Sequence, residues 1–234
     1  MNETKRLSIS MTREERIWGW LYVPFFLVLL SWILAEGFRL LGWETETLLG
    51  QARLNGAFFG VNFLATVLIY RKFLSKSLVM VGKRFWGFLQ AVILGLAMYY
   101  AGALLISWVV RLWQPENVND AAIAAMARES RWVMVVGTVL LTPVVEECIF
   151  RGLLFQGLHR HNRAAAYALS TVTFCLGHVI GYIGQVELST LAILTLEYLP
   201  AGIALGWAYE KADTIFAPIL MHGLVNALSM RVLW

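Results

Sequence analysis

The chain has 234 residues, 59% of them hydrophobic and only 15% charged, with a mean hydropathy of +0.66. Soluble domains carry about a quarter of their residues as charges, so a water-soluble domain is excluded and a single helical membrane bundle is expected. The net charge of +4 is the ordinary excess of lysine and arginine on cytoplasmic loops; with no basic stripe outside those loops, nucleic acid is excluded as a partner.

A helix needs about 20 mainly apolar residues to cross the hydrocarbon core. A cytoplasmic tail, residues 1–16, precedes spans predicted over Ile17–Ala35, Leu54–Tyr70 and Phe85–Val110. The first lacks a small-residue cleavage site followed by a soluble region, so it reads as a span and not as a signal peptide. Between the second and third spans, Arg71–Arg84 alternates basic and apolar residues; it lies on the inner leaflet or forms a solvated loop, and the pattern leaves both open. Gln114–Glu129 is the one sizeable outer loop, with a short interfacial helix expected at Ala121–Ala127. Four further spans are predicted at Trp132–Leu158, Ala164–Gly184, Leu188–Tyr209 and Thr214–Met230. The second and last spans are short. The expected organisation is an all-α polytopic transmembrane bundle of about seven spanning helices plus short interfacial ones. Its parts are the tail 1–16, N-terminal helices 17–131 and a catalytic core 132–234, together one integral membrane domain.

With the N-terminus inside, cytoplasmic segments collect 13 of the 19 lysines and arginines, Lys5, Arg6 and Arg151 among them. The outer side holds six: Arg39, Arg53, Arg111, Arg128, Arg131 and Arg231. This split predicts a cytoplasmic N-terminus; the membrane is expected to be a bacterial or archaeal plasma membrane. Trp18, Trp86, Trp108, Trp132 and Trp207 fall near predicted helix ends, as an aromatic belt requires. Cys148 and Cys175 lie within apolar helices and read as small buried residues, not as a disulfide.

Three polar clusters interrupt the apolar helices: Glu146-Glu147 with Arg151, Phe174 with His178, and His222 with Asn226. A charged group at bilayer depth costs roughly 2.5–3.5 kcal/mol on insertion scales, so it persists only where it meets partners or lines a wet cavity. At about 1.5 Å of rise per residue, Glu146, His178 and His222 lie roughly 18, 21 and 12 Å from their predicted inner ends, so all three can share one layer. Residues four apart share a helix face, which places Glu147 over Arg151, Phe174 over His178 and His222 over Asn226. Glu146 and Glu147 point about 100° apart and have different tasks. Arg151 should pair with Glu147 and orient it, whereas Glu146, with no cation near it in sequence, is freer to exchange protons as a general base must. Gly177, Gly181 and Gly223 are expected to let backbones approach, and Pro143 and Pro218 to loosen their helices. Glu197, mid-span, either enters the same cavity or is protonated and hydrogen-bonded structurally, and the structural role is the preferred reading. His159 and His161, beside Arg160 and Arg163, are expected to be solvated.

These segments resemble the CPBP family of intramembrane proteases, which includes CAAX prenyl endopeptidases of the Rce1 type and bacterial Abi proteins. Glu146-Glu147-Cys148-Ile149-Phe150-Arg151 matches EExxxR, Phe174 to His178 matches FxxxH, and His222 to Asn226 matches HxxxN. Gly202 and Gly206, with Ala217-Pro218-Ile219, also look like the family's final segment, so the likeness covers about Trp132 to Met230. The resemblance implies an endopeptidase with a cavity reached from the cytoplasmic side, acting on membrane-embedded or lipidated polypeptides. It implies that Glu146 and His178 activate water, that His222 and Asn226 stabilise the oxyanion, and that Glu147, Arg151 and Phe174 support the site. Glu146, His178 and His222 would be a possible zinc set, but no HExxH pair shares a helix and a metal-free mechanism with no cofactor is the expectation. Two other classes compete: a bacteriocin-immunity or binding protein of the same family that needs no proteolysis, and a proton-coupled transporter, which should show paired broken helices in two related halves.

Overall fold

A computed structural model describes residues 7–112 and 117–232; Lys5, Arg6, residues 114–116 and the Arg231 side chain lie outside that description. The described chain is helical with no β-strand. The helices are α1 (Arg13–Leu40), α2 (Leu48–Ile69), α3 (Arg71–Lys83), α4 (Phe85–Val110), α5 (Val118–Glu129), α6 (Arg131–His159), α7 (Arg163–Tyr182), α8 (Leu188–Ala212) and α9 (Phe216–Val232). Six of them, α1, α2, α4, α6, α7 and α8, are long and apolar enough to cross a membrane. The seventh expected span, α9, has 17 residues, about 25 Å of helix, and packs against α4, α6 and α8. The chain is an integral membrane protein with an all-α bundle, as expected.

Local chemistry sets the helix starts. The first span begins earlier than predicted because Thr12 and Glu15 form a capping box, with Thr12 N donating to Glu15 and Glu15 N to Thr12 Oγ1. Thr47 caps α2 through a single bond, its Oγ1 accepting from Gly50 N at 3.1 Å. Arg71–Lys83 is a helix, not a loop; it buries Phe73 and Ser77 and turns its basic residues outward. The outer loop contains α5, longer than the predicted Ala121–Ala127, with Asn117 as its N-cap.

Two ends of the bundle can be told apart by what ties them. At the first, Ser8 N donates to Asp213 Oδ1 (2.8 Å), Gln156 Nε2 donates to Ile9 O (2.6 Å), and Met11 N donates to Gln156 Oε1 (3.1 Å). Thr214 Oγ1 bonds Ser77 O, and Arg84 pairs with Asp213. The tail preceding α1 is therefore strapped across this end from Leu7 to Met11, and α3 lies beside it. At the other end α5 packs on α2 and reaches α8 through its polar side chains.

Close packing between α7 and α8 comes from Gly202, where an added Cβ would lie 2.6 Å from Thr171 Cγ2 and 3.2 Å from the Thr171 Cα. His159 is not solvated: it is 1% exposed, stacked on Phe155 and bonded to Glu210 at 3.0 Å, because Glu210 also collects Arg163 and Tyr167. His161 is exposed, as expected. Replacing Gly202 by valine should overpack the α7–α8 seam and lower stability by about 1–3 kcal/mol, read as an earlier unfolding midpoint in detergent; an unchanged midpoint would mean the seam can open freely.

Candidate functional site

α6 carries the first cluster, and its backbone is irregular on both sides of it. Residues Val136–Leu141 and Cys148–Phe155 are wound as π-helix, with Thr142–Glu147 as ordinary α-helix between them. Pro143 has no N–H to give the Val139 carbonyl. That carbonyl instead faces Gly223 of α9, where a Cβ would come within 2.7 Å, so only glycine lets α9 approach. One turn away, Asn226 Nδ2 donates to the Thr138 carbonyl at 2.8 Å. π-Helical insertions of this kind are frequent at functional sites because they redirect side chains. Pro218 behaves otherwise than expected: it sits in the first turn of α9, where the missing N–H has no intrahelical partner in any case.

Glu147 and Arg151 have no exposed surface. Glu147 Oε1 accepts from Arg151 Nη1 at 3.0 Å and from His222 Nδ1 at 2.8 Å. Arg151 Nη2 donates to the Gly202 carbonyl at 3.0 Å, and the guanidinium lies 4.4 Å from the Phe174 ring centroid. The charges are thus neutralised by contacts from α7, α8 and α9 at once. His178 Nδ1 lies 2.8 Å from the Phe174 carbonyl, and its ring packs 4.3 Å from Tyr198.

The Nδ1 partner is an acceptor for both histidines, so each Nδ1 carries a proton and each Nε2 is left to the cavity. Both Nε2 atoms face Glu146: Oε2 lies 3.8 Å from His178 and 3.9 Å from His222. Glu146 Oε2 is buried and has no hydrogen-bond partner within the protein. Three helices therefore bring Glu146, His178 and His222 around one point, as the depth estimate anticipated. Asn226 and Phe174 line the same space.

That space is a cavity of about 890 Å³ between α2, α4, α6, α7, α8 and α9, with α5 over it. Glu197 opens into it and is also hydrogen-bonded, so both expected readings meet at this residue: Asn117 Nδ2 donates to Glu197 Oε2 at 2.7 Å. Asn119 Nδ2 donates to Tyr198 OH (3.2 Å), and Tyr182 OH to Asn119 Oδ1 (3.3 Å). Burial pushes the Asp120 carboxyl above its ordinary range, with nearby His178 pulling it back. Sequence reading missed Asn119, Asp120, Tyr198 and Thr138; only the polar start of the outer loop, Asn117-Val118-Asn119-Asp120, hinted at them. Gly177 and Gly181 are not close-approach sites: they are exposed along this cavity, and a Cβ at Gly181 would meet nothing within 4 Å.

The cavity walls come from the end that carries α5, with Ser107, Val110 and Arg111 of the α4 end among them. No residue of the strapped tail or of α3 lines it. The strapped tail and the outer walls of the cavity therefore lie at opposite ends of the bundle. Arg151 also leaves the basic count, being buried inside the bundle, which makes the split twelve to six.

Residues 128–228 match the family model described as Type II CAAX prenyl endopeptidase Rce1-like. The matched segment holds all three motifs and bears out the resemblance. At the level of that Rce1-like family it points to protease activity in the membrane. No curated protein and no solved structure matches the chain.

A zinc ion with bonds of about 2.0–2.1 Å in tetrahedral array draws its ligands to about 3.4 Å from one another. The Glu146–histidine separations are wider, and among the described residues no group of three or more His, Cys, Asp or Glu side chains is arranged to hold a metal. Purified protein should carry less than stoichiometric zinc and keep its activity in chelator; one zinc per chain with chelator-sensitive turnover would show that the three side chains close on a metal. Arg151→Met should destabilise the protein by about 3–5 kcal/mol, since it strands a buried carboxylate, while Glu147→Leu with Arg151→Met recovers most of that loss. Unfolding in detergent measures both; equal losses would place the site's stability elsewhere.

Proposed function

We propose that the chain is an intramembrane endopeptidase that hydrolyses membrane-associated polypeptides with a water activated by Glu146 and His178. The observation that carries this reading is the approach of Glu146 Oε2 to two imidazole Nε2 atoms, at 3.8 and 3.9 Å, inside a buried cavity. Such gaps are too long for direct hydrogen bonds and suit groups that share a bridging water. Glu146 takes the proton of that water as the oxygen attacks the peptide carbonyl, and later returns it to the leaving amine.

Charge then develops on the carbonyl oxygen. Asn226 spends one N–H on Thr138 and has a second to offer the oxyanion. His222, held through Nδ1 by Glu147, turns its Nε2 to the same point and donates to the oxyanion in its doubly protonated form. Stabilisation of this oxyanion is usually the largest single contribution to such a rate, so Asn226 ranks beside the base. Glu147, Arg151 and Phe174 hold the two histidines in place. The core 132–234 supplies every one of these groups; residues 17–131 contribute walls through α2, α4 and α5.

Glu146→Gln keeps the volume and removes the base. It should lower cleavage about 10²–10⁴-fold while the protein still inserts and unfolds at the same midpoint. Comparing membrane peptides from cells with wild type and with Glu146→Gln identifies the substrate as fragments present only with wild type. Identical profiles, with the variant fully functional in the host, would move the protein to the binding or immunity class.

A further inference from the structure

We infer that α3 is a binding surface for anionic phospholipid, with the lysine stripe Lys72, Lys76 and Lys83 taking the headgroup phosphates. The inference stands apart from the protease reading and uses none of the cavity residues.

Connectivity places this helix. α3 joins the end of α2 to the start of α4, with single residues, Tyr70 and Arg84, at the two joints. Both neighbours are long and apolar enough to cross a membrane, so the 13-residue helix joining their ends lies at a membrane surface. Phe85 and Trp86, exposed at the start of α4, mark the same level, because aromatic rings concentrate where hydrocarbon meets headgroups. On the bundle side Phe73 and Ser77 are buried, and the Ser77 carbonyl accepts from Thr214 Oγ1 at 2.8 Å. These contacts fix the rotation of α3 about its own axis.

With that rotation fixed, a step of about 100° per residue assigns the remaining faces. Lys72, Lys76 and Lys83 fall within about 40° of one another, roughly 80° to one side of Phe73. Leu74, Leu78 and Val81 fall roughly 100° to the other side. All three lysines are exposed, and Leu78 is 59% exposed. A helix held from behind by protein, apolar along one flank and cationic along the other, is arranged to lie in the interface. Its leucine edge enters the acyl chains and its lysine edge meets the headgroups. Lysine suits the task, since its stem lies along apolar surface while the ammonium reaches outward.

Charge complementarity names the occupant. Residues 71–84 carry five cations and no acidic residue. Arg84 is paired with Asp213 at 3.6 Å, and Lys72 with the exposed Glu14 at 3.4 Å. Among the described residues no carboxylate pairs with Lys76 or Lys83. Clustered cations beside a bilayer attract acidic lipids, and here the stripe is held at headgroup level by the fold itself.

The test uses the full chain in phosphatidylcholine bilayers with a trace of spin-labelled phosphatidylglycerol or phosphatidylcholine. Electron spin resonance reads the share of each label held at the protein surface. Wild type should favour phosphatidylglycerol by at least about threefold at low salt, fading toward equality in about 1 M salt. With Lys72→Gln, Lys76→Gln and Lys83→Gln together the preference should drop below about 1.5-fold. Lys76→Glu alone should fall between. A control triple, Arg13→Gln, Arg160→Gln and Lys211→Gln, removes the same charge from exposed positions at the same end and should keep the wild-type preference. Equal losses in the two triples would overturn the inference by assigning the effect to net charge, and a wild type without preference would overturn it outright. Inorganic phosphate at matched ionic strength should weaken the preference no more than chloride does; a larger loss would make the stripe a free-anion site and not a lipid one. Should the lysine triple fail to fold, Lys76→Glu decides alone, and an undiminished preference in it overturns the assignment.

Discussion

A carboxylate with no exposed surface must be neutralised by whatever touches it, and Glu147 organises this bundle on that account. Its Oε1 takes hydrogen bonds from Arg151 on its own helix and from His222 on α9. Arg151 then has donors left over, and it spends one on the Gly202 carbonyl of α8 and lays its face on Phe174 of α7. Removing any one of these partners leaves a charge in a medium where an unpaired ion is costly. The same contacts fix which nitrogen of His222 is protonated, so the electrostatics of stability and of the reactive face are one arrangement.

Backbone irregularity in α6 serves the same layer. A regular helix through residues 131–159 satisfies its own carbonyls and offers nothing to its neighbours. Pro143 and the π-helical windings before and after Glu146-Glu147 free carbonyls at Thr138 and Val139, which α9 meets with Asn226 and with the bare backbone at Gly223. The short helix α9 is thus registered against α6 by two contacts one turn apart. That register sets His222 opposite both glutamates. Asn226 consequently has a structural task even where it also faces the cavity.

Much of this was legible because polar side chains inside apolar helices have few places to go. Glu146, Glu147, Arg151, His178, His222 and Asn226 could be marked from the sequence, and four-residue spacing gave the Glu147–Arg151 and Phe174–His178 contacts directly. What stayed hidden depends on tertiary partners. Spacing does not say that the Asn226 amide ends on a carbonyl released by a proline on another helix. His159 sits in a basic stretch that looks solvated; Glu210, 51 residues later, buries it. Glu197 looked like a lone mid-span carboxylate until α5 folded over and placed Asn117 against it. The seventh span was recognisable as apolar, yet at 17 residues it leans on neighbours for part of its length.

The two ends of the bundle carry different physical burdens. At the basic end, segments distant in sequence are joined by buried hydrogen bonds from Gln156, Asp213 and Thr214, and the aromatic and aliphatic side chains between them leave no route inward. At the α5 end the links are fewer, partly exposed and made by amides and phenols, groups that exchange partners with water at little cost. Hydrolysis in lipid requires water and an extended backbone to reach the same buried point, and both need hydrogen-bonding groups along the way. Among the described residues, the hydrogen-bonding groups that line the cavity on the way to Glu146 include Asn117, Asn119, Asp120, Tyr182 and Tyr198 near the α5 end, so a stable floor and an adaptable roof follow from the same division of polar residues that keeps the Glu147 layer dry.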